Sequence, residues 1–159
     1  MALTKTTLSL TAATIGLVIA AGAALAADPA ADTPGGKAVL ARQAHYRELN
    51  AAFRAVNEDL RKDMPDKAAV AADVGKMKAL TDDLPSWFPK GSGPEAGVKT
   101  RAKAEIWTDA AGFATAATRI QAETGKLQDA ATAGDIEALK AQAKTVNGAC
   151  KACHDAYRG

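Results

Sequence analysis

Apolar residues recur at alternating spacings of three and four along most of the chain, which predicts amphipathic helices packed in a bundle. The first helix is predicted over 37–62 and ends at Met64-Pro65, because the residue before a proline avoids the α region. Its apolar seam contains two interleaved series with a seven-residue repeat: Val39, Tyr46, Phe53 and Leu60, with Arg42, Leu49 and Val56. A seam of this kind is typical of a left-handed helical bundle.

Three further helices follow. The second is predicted over 66–83, with Val70, Val74, Met77, Leu80 and Leu84 toward the core. The third is expected over 101–133 with an interruption at Gly125, and its seam residues are Ile106, Phe113, Ile120 and Leu127. Between these two helices, 85–100 contains three prolines and three glycines, which predicts an irregular connection. Trp87 and Phe88 are expected to fix that connection to the body of the protein.

The last helix carries the chemistry of the chain on its apolar face. Gly134-Asp135 predicts a helix end followed by an N-cap. The seam that follows is Ile136, Leu139, Ala143, Val146, Cys150, Cys153 and Tyr157. Because both cysteines occupy core positions, any group that they hold must lie between helices. Aromatic residues are only 4% of the chain, which favours helices over a sheet. The expected fold is all-α, an antiparallel up-down four-helix bundle over residues 37–159.

The N-terminal residues 1–26 have the features of a secretory signal peptide, with Lys5 before an apolar run and Ala24-Leu25-Ala26 as the cleavage site. A permanent membrane anchor is disfavoured because the densest apolar part, 12–27, is short and no basic stop signal follows it. The Pro/Gly/Ala-rich 27–36 is expected to be a flexible leader. We therefore expect export of the chain and no membrane anchor after processing.

The charge of the chain is almost balanced, with 20 basic and 18 acidic side chains and a net charge of +2. Nothing in this balance indicates a nucleic-acid partner. No exposed basic run indicates binding to anionic lipid either.

Cys150-Lys151-Ala152-Cys153-His154 matches the Cys-X-X-Cys-His signature of c-type haem attachment. On a helix, the two thiols and the imidazole share one face, from which the thiols can join one porphyrin and the imidazole can bind its iron. Three alternatives are weaker. A structural zinc site needs four ligands, and the chain has only these cysteines and one more histidine, His45. A thioredoxin-like pair lies at the start of a helix, and a disulfide closing so small a ring constrains the unfolded chain little.

A haem motif at the C-terminal end of a four-helix pattern resembles the class II c-type cytochromes, in particular the cytochrome c-prime family. The matching segments are Arg42-Gln43, Leu84-Pro85, Phe88-Pro89, Gly91, Glu105-Ile106-Trp107 and residues 150–158. The resemblance covers essentially the whole chain after the signal peptide. It implies one covalently attached haem c per chain, redox partner proteins in the periplasm or small diatomic gases as partners, and a possible homodimer. Covalent haem attachment to an exported chain also points to a bacterial periplasm.

The resemblance also implies roles for individual residues. Cys150 and Cys153 correspond to the thioether attachments and His154 to the proximal metal ligand. Arg42 and Gln43 correspond to a haem-edge pair. Arg42 lies on the apolar seam, where a haem propionate would explain its charge, although a side chain that reaches solvent is the alternative. Three further residues are expected near the haem: Thr100, Arg101 and Arg158. A basic residue favoured by the helix dipole is an alternative explanation for Arg158.

The sixth coordination position decides the chemistry of such a haem. The family resemblance places it near 42–46, which contains no methionine. Tyr46 is expected to cover this distal face, and ligation by its neutral phenol is the weaker alternative. His45 lies one position off the seam, so its ligation would require a helix rotation of about 100°. A five-coordinate, high-spin haem is the resulting expectation. Its function would be one-electron transfer or, alternatively, the binding, scavenging or sensing of nitric oxide or another small gas, and not enzymatic catalysis.

Overall fold

The computed structural model describes residues 29–159, and the predicted signal peptide lies outside the described residues. The helices are α1 (Pro34–Asp59), α2 (Lys67–Asp83), α3 (Glu105–Thr108), α4 (Ala110–Ala133) and α5 (Ile136–Tyr157). Helix α1 packs on α2, α2 on α4 and α4 on α5, whereas α1 and α5 approach each other less closely. The part of the chain that is described contains no strand. The predicted all-α four-helix bundle is confirmed, with α3 as one additional helical turn.

Helix α1 begins at Pro34, three residues before the predicted start. The Oγ1 of Thr33 accepts a hydrogen bond from the Gly36 amide at 3.0 Å, and a proline in the first turn costs nothing because its missing N–H would have no helical partner. Pro29–Asp32 forms a short 3-10 helix inside the expected leader. The regular structure therefore extends further toward the N-terminus than the sequence pattern predicts.

The core consists of two clusters, one toward each end of the bundle. The first contains the buried side chains Leu49, Ala52, Val56, Leu60, Val70, Val74, Met77, Leu127, Ala131, Leu139, Ala143 and Val146. The second contains Leu84, Trp87, Ile106, Phe113, Ala117, Ile120, Ala149, Cys153 and Tyr157. These clusters confirm the predicted seams, and each fully buried aliphatic side chain contributes about 1.5–3 kcal/mol. Tyr46 and Leu80 pack against both clusters.

The structure differs from the predicted third helix in three respects. The helical part begins at Glu105, four residues after the predicted start. It is broken at Asp109, whose backbone lies outside the helical region at φ −114° and ψ 57° and whose carboxylate accepts from the Gly112 amide. The predicted interruption at Gly125 is wrong, because α4 continues through this residue. A glycine lowers helix propensity by only about 1 kcal/mol, which the packing of α4 between α2 and α5 offsets.

The connection between α2 and α3 is fixed to the bundle rather than free. It contains two short 3-10 helices, Leu84–Trp87 and Pro94–Ala96, in a segment expected to be irregular throughout. Trp87 is only 5% exposed, and the indole Nε1 of Trp107 donates to the carbonyl oxygen of Phe88 at 3.2 Å. The predicted apolar attachment of this connection is confirmed. Within the described residues, no helix is both long and apolar enough to span a membrane.

Candidate functional site

A cavity of about 380 Å³ lies at the end of the bundle where α1 faces α5. Its volume falls within the usual range for cofactor sites, about 300–1,000 Å³. The lining residues are Arg42, Gln43, Tyr46, Arg47, Asn50, Phe88, Thr100, Arg101, Ala102, Ile106, Phe113, Cys153, His154, Tyr157 and Arg158. Eight of the nine residues predicted from the sequence are among them. The ninth, Cys150, lies one turn before Cys153 on the same helix.

The cysteines and the histidine share one face of α5. Both cysteines are free thiols, Cys153 buried and Cys150 half-buried. Burial raises the pKa of both thiols, so both are protonated at neutral pH. Partial burial, and then the positive charge of Arg158, lower the pKa of His154. Its imidazole is therefore neutral at pH 7, the form that binds a metal ion.

The end of α5 that carries this face is tied to the segment before α3. The Lys103 amide donates to the Tyr157 carbonyl oxygen at 3.0 Å, and the Gly159 amide donates to the Arg101 carbonyl oxygen at 2.8 Å. The guanidinium of Arg101 also donates to an oxygen of Gly159. These bonds satisfy backbone groups at the end of the helix and fix the last turn of α5, which contains His154, to the segment before α3.

Tyr46 projects from α1 into the cavity. Its ring meets the indole of Trp87 edge to face, with centroids 5.2 Å apart. Burial raises the pKa of the Tyr46 phenol well above its ordinary value. The hydroxyl therefore stays protonated, and a neutral phenol is a poor iron ligand. These contacts favour a packing role for Tyr46 over ligation.

His45 is engaged outside the cavity. Its ring stacks on Trp87 with centroids 4.8 Å apart and an interplanar angle of 22°. The indole Nε1 of Trp87 in turn donates to Asp83 at 3.1 Å. His45 is not among the residues that line the cavity. This geometry does not favour His45 as an iron ligand.

Arg42 reaches the site but uses its guanidinium to hold the loop. The side chain is 3% exposed. One terminal nitrogen donates to the Trp87 carbonyl oxygen at 3.2 Å and to the Ser92 hydroxyl at 3.0 Å. The other donates to the Ser92 carbonyl oxygen at 2.9 Å and to the Thr100 hydroxyl at 3.1 Å, and the Phe88 ring lies 4.6 Å away. All four terminal N–H groups are thus used, which explains the arginine on the seam without a propionate.

The other predicted polar residues differ in whether their side chains already have hydrogen-bond partners in the protein. The Gln43 amide donates to the Lys99 carbonyl oxygen at 2.9 Å, and Thr100 Oγ1 also accepts from the Ala102 amide at 3.2 Å. Burial lowers the pKa of Arg42, although a guanidinium remains charged in proteins. Arg158 lines the cavity and is exposed to solvent.

Sequence reasoning missed two polar residues, Arg47 and Asn50, and part of the aromatic wall. Arg47 and Asn50 lie four and seven residues after Gln43, so the helical period alone would have placed them on the same face. The wall depends on tertiary contacts that no spacing reveals: Phe113 packs edge to face on Tyr157, whose hydroxyl donates to Asp109 at 2.9 Å.

The cavity fits a haem chemically. Its walls are largely apolar and aromatic, and its thiol-bearing face is helical. Its lining contains four arginines and no carboxylate. This combination suits an apolar macrocycle with two carboxylate groups. In the described part of the chain, no three His, Cys, Asp or Glu side chains are grouped to hold a metal ion directly.

Comparison with known proteins agrees with this site. A family model described as Cytochrome C′ matches residues 37–158. A cytochrome c′ from Rhodospirillum rubrum is 33% identical over 150 residues, covering 89% of this chain and 96% of that protein. One from Alcaligenes xylosoxydans xylosoxydans is 44% identical over 93 residues, covering 58% of this chain and 69% of that protein.

Solved structures agree in fold. Cytochrome c′ from Rubrivivax gelatinosus superposes with a TM-score of 0.72 at 31% identity, covering 79% of this chain and 97% of that one. A nitric oxide complex of a cytochrome c prime variant from Alcaligenes xylosoxidans superposes with a TM-score of 0.70 at 34% identity. The match covers 78% of this chain and 94% of that one. The chain therefore belongs to the cytochrome c′ family and carries covalently bound haem c.

Proposed function

We propose that Cys150 and Cys153 attach the haem through thioether bonds and that His154 binds its iron. The shared face of α5, the burial of Cys153 and the neutral imidazole of His154 support this assignment. Tyr46 lies on the opposite helix and covers the distal side. Arg42 keeps the loop closed over the cavity.

The proposed function is the binding of a small neutral gas, nitric oxide above all, at a five-coordinate, high-spin haem. The observation that carries it is that, once a thioether bond occupies Cys153, His154 is the one strong iron ligand among the cavity-lining residues. When bound, the haem supplies an iron that takes up a diatomic gas or exchanges one electron. Tyr46 and the apolar wall exclude anions and bulk water from the distal side. Relatives support the proposal, since cytochrome c prime variants from Alcaligenes xylosoxidans have been solved with nitric oxide and with carbon monoxide bound.

The second candidate is one-electron transfer with periplasmic partner proteins. It is favoured by the exposure of Arg47, Arg101, His154 and Arg158, which form the open mouth of the cavity. A haem edge at this mouth would be accessible to another protein. Export by residues 1–26 and cleavage near Ala26 would bring the chain to the periplasm. A homodimer through the alanine-rich faces of α1 and α2 is compatible with both functions.

The optical spectrum of the purified holoprotein tests these proposals, recorded oxidised, reduced, and reduced with nitric oxide or carbon monoxide. A broad high-spin ferrous spectrum that shifts on addition of gas is the expected result. Sharp low-spin bands that do not respond to carbon monoxide would indicate a strong sixth ligand. Gas binding would then be refuted, and electron transfer would be the remaining candidate function.

Two variants of Tyr46 make the test specific to the distal side. Tyr46→Ala removes the covering ring and should accelerate carbon monoxide binding. Tyr46→Phe keeps the ring and removes only the hydroxyl, so it should bind gas at close to the wild-type rate. Equal rates in Tyr46→Ala and wild type would contradict the distal position of Tyr46.

A further inference from the structure

Most polar groups expected to face the haem are already committed to holding the protein together. The four terminal N–H groups of Arg42 go to the loop, and the Gln43 amide goes to the Lys99 carbonyl oxygen. The Nε of Arg101 donates to Gly159, whereas its terminal nitrogens and the guanidinium of Arg158 have no hydrogen-bond or ion-pair partner among the described residues. These bonds leave the two haem carboxylates with fewer free partners than the sequence predicts.

Arg47 lies one helical turn after Gln43, on the same side of α1, and its side chain has no partner among the described residues. Its side chain is exposed, lines the cavity, and forms no hydrogen bond or ion pair with any described residue. The positions three and four residues away hold Gln43, Ala44, Asn50 and Ala51, so no carboxylate lies beside it on the helix. All six ion pairs in the described part of the chain are formed by lysines, so none of them involves Arg47.

An unpaired arginine at a carboxylate-free cavity is suited to an anion supplied by the ligand. We propose that Arg47 binds a haem carboxylate, the role that family resemblance assigns to Arg42. The planar guanidinium can donate two parallel hydrogen bonds to one carboxylate, which a lysine cannot. This inference rests on the haem position proposed above.

The bond has an electrostatic consequence. A positive charge beside the haem stabilises the ferrous form, which carries one positive charge fewer than the ferric form. Removal of the Arg47 charge should therefore lower the midpoint potential. A single unit charge at a partly screened site changes the ratio of the two forms by about threefold, which is about 28 mV at 59 mV per decade.

Redox titration of the holoprotein tests the inference, with resonance Raman spectra of the haem carboxylate bending modes as a second measurement. Arg47→Gln should lower the potential and shift a bending mode. Arg47→Lys should restore most of the potential but not the mode, because it keeps the charge without the paired donors. Arg54→Gln is the matched control, since Arg54 is exposed on the same helix and does not line the cavity.

Identical potentials and Raman spectra for Arg47→Gln and Arg54→Gln would overturn the role of Arg47. Haem content and tryptic mapping of the haem peptide separate this outcome from failure of the haem position itself. Haem on Cys150 and Cys153 with no Arg47 effect refutes only the inference. Haem absent from these cysteines refutes the position and the inference together.

Discussion

Replacement of Arg42 by alanine should detach the loop from α1 and destabilise the protein. The substitution removes four hydrogen bonds and a cation–π contact at one buried position. The hydroxyls of Ser92 and Thr100 keep other hydrogen bonds, to the Pro89 carbonyl oxygen and from the Ala102 amide. The carbonyl oxygens of Trp87 and Ser92 lose the donor, and these two losses determine the cost.

A buried acceptor left without a donor costs about 1–3 kcal/mol, so the two carbonyls set a range of about 2–6 kcal/mol. Loss of the contact with Phe88 adds about 0.5–2 kcal/mol. Water that enters beside the loosened loop recovers part of this cost. We therefore expect the free energy of unfolding to fall by about 3 kcal/mol in Arg42→Ala.

Urea unfolding of the holoprotein, followed by far-UV circular dichroism, measures the loss, and hydrogen exchange locates it. Amides of 87–103 should exchange faster in Arg42→Ala, while those of the distant core around Val74 should change only with global stability. Arg42→Lys retains the charge but cannot reach four acceptors, and about half the loss is expected. Arg54→Ala, an exposed change on the same helix, should have little effect.

A loss below about 1 kcal/mol with unchanged exchange in the loop would refute this account of Arg42. If Arg42→Lys instead kept full stability but altered the haem carboxylate Raman modes, Arg42 would be a propionate partner, as the family resemblance implies. The two roles are thus separated by different measurements on the same variant.

Two further predictions concern the rest of the bundle. Asp59→Asn should destabilise the protein at pH 7, because the hydrogen bond from the Asp66 amide lowers the pKa of the carboxyl and the substitution removes the charge that this bond favours. This stabilisation is present above the ordinary aspartate pKa of 3.8 and is lost as the pH falls through the lower folded-state pKa, so the difference between the wild type and the variant in urea unfolding should narrow progressively as the pH is lowered below 3.8. Gly35→Ala should lower the Tm, because its Cβ would collide with the backbone oxygen of Gly91, whereas Gly148→Ala meets no atom within 4 Å and should raise it. A Tm that rises equally in both would contradict the close approach at Gly35.

The sequence predicted the long helices well because their formation depends on regular spacing of apolar residues. The seams on α1, α2, α4 and α5 coincide with the buried clusters, and the predicted Gly134 helix end and Asp135 N-cap are both found. The prediction failed between 101 and 125, where propensity placed a break at Gly125. The break lies at Asp109, which bonds both the Gly112 amide and the Tyr157 hydroxyl. The second of these partners lies 48 residues away, beyond any local pattern.

The sequence by itself determined the fold class, the cofactor signature and the helix that carries it, because each follows from residue type and spacing within one segment. Only the tertiary structure decided which polar groups remain free at the cavity. Arg42 and Arg47 are arginines only five residues apart on α1, yet one is enclosed by a loop some fifty residues away and the other faces the cavity unpaired. The physical reason is that a hydrogen-bonding group has a limited number of donors. How they are used depends on which distant segments fold against them.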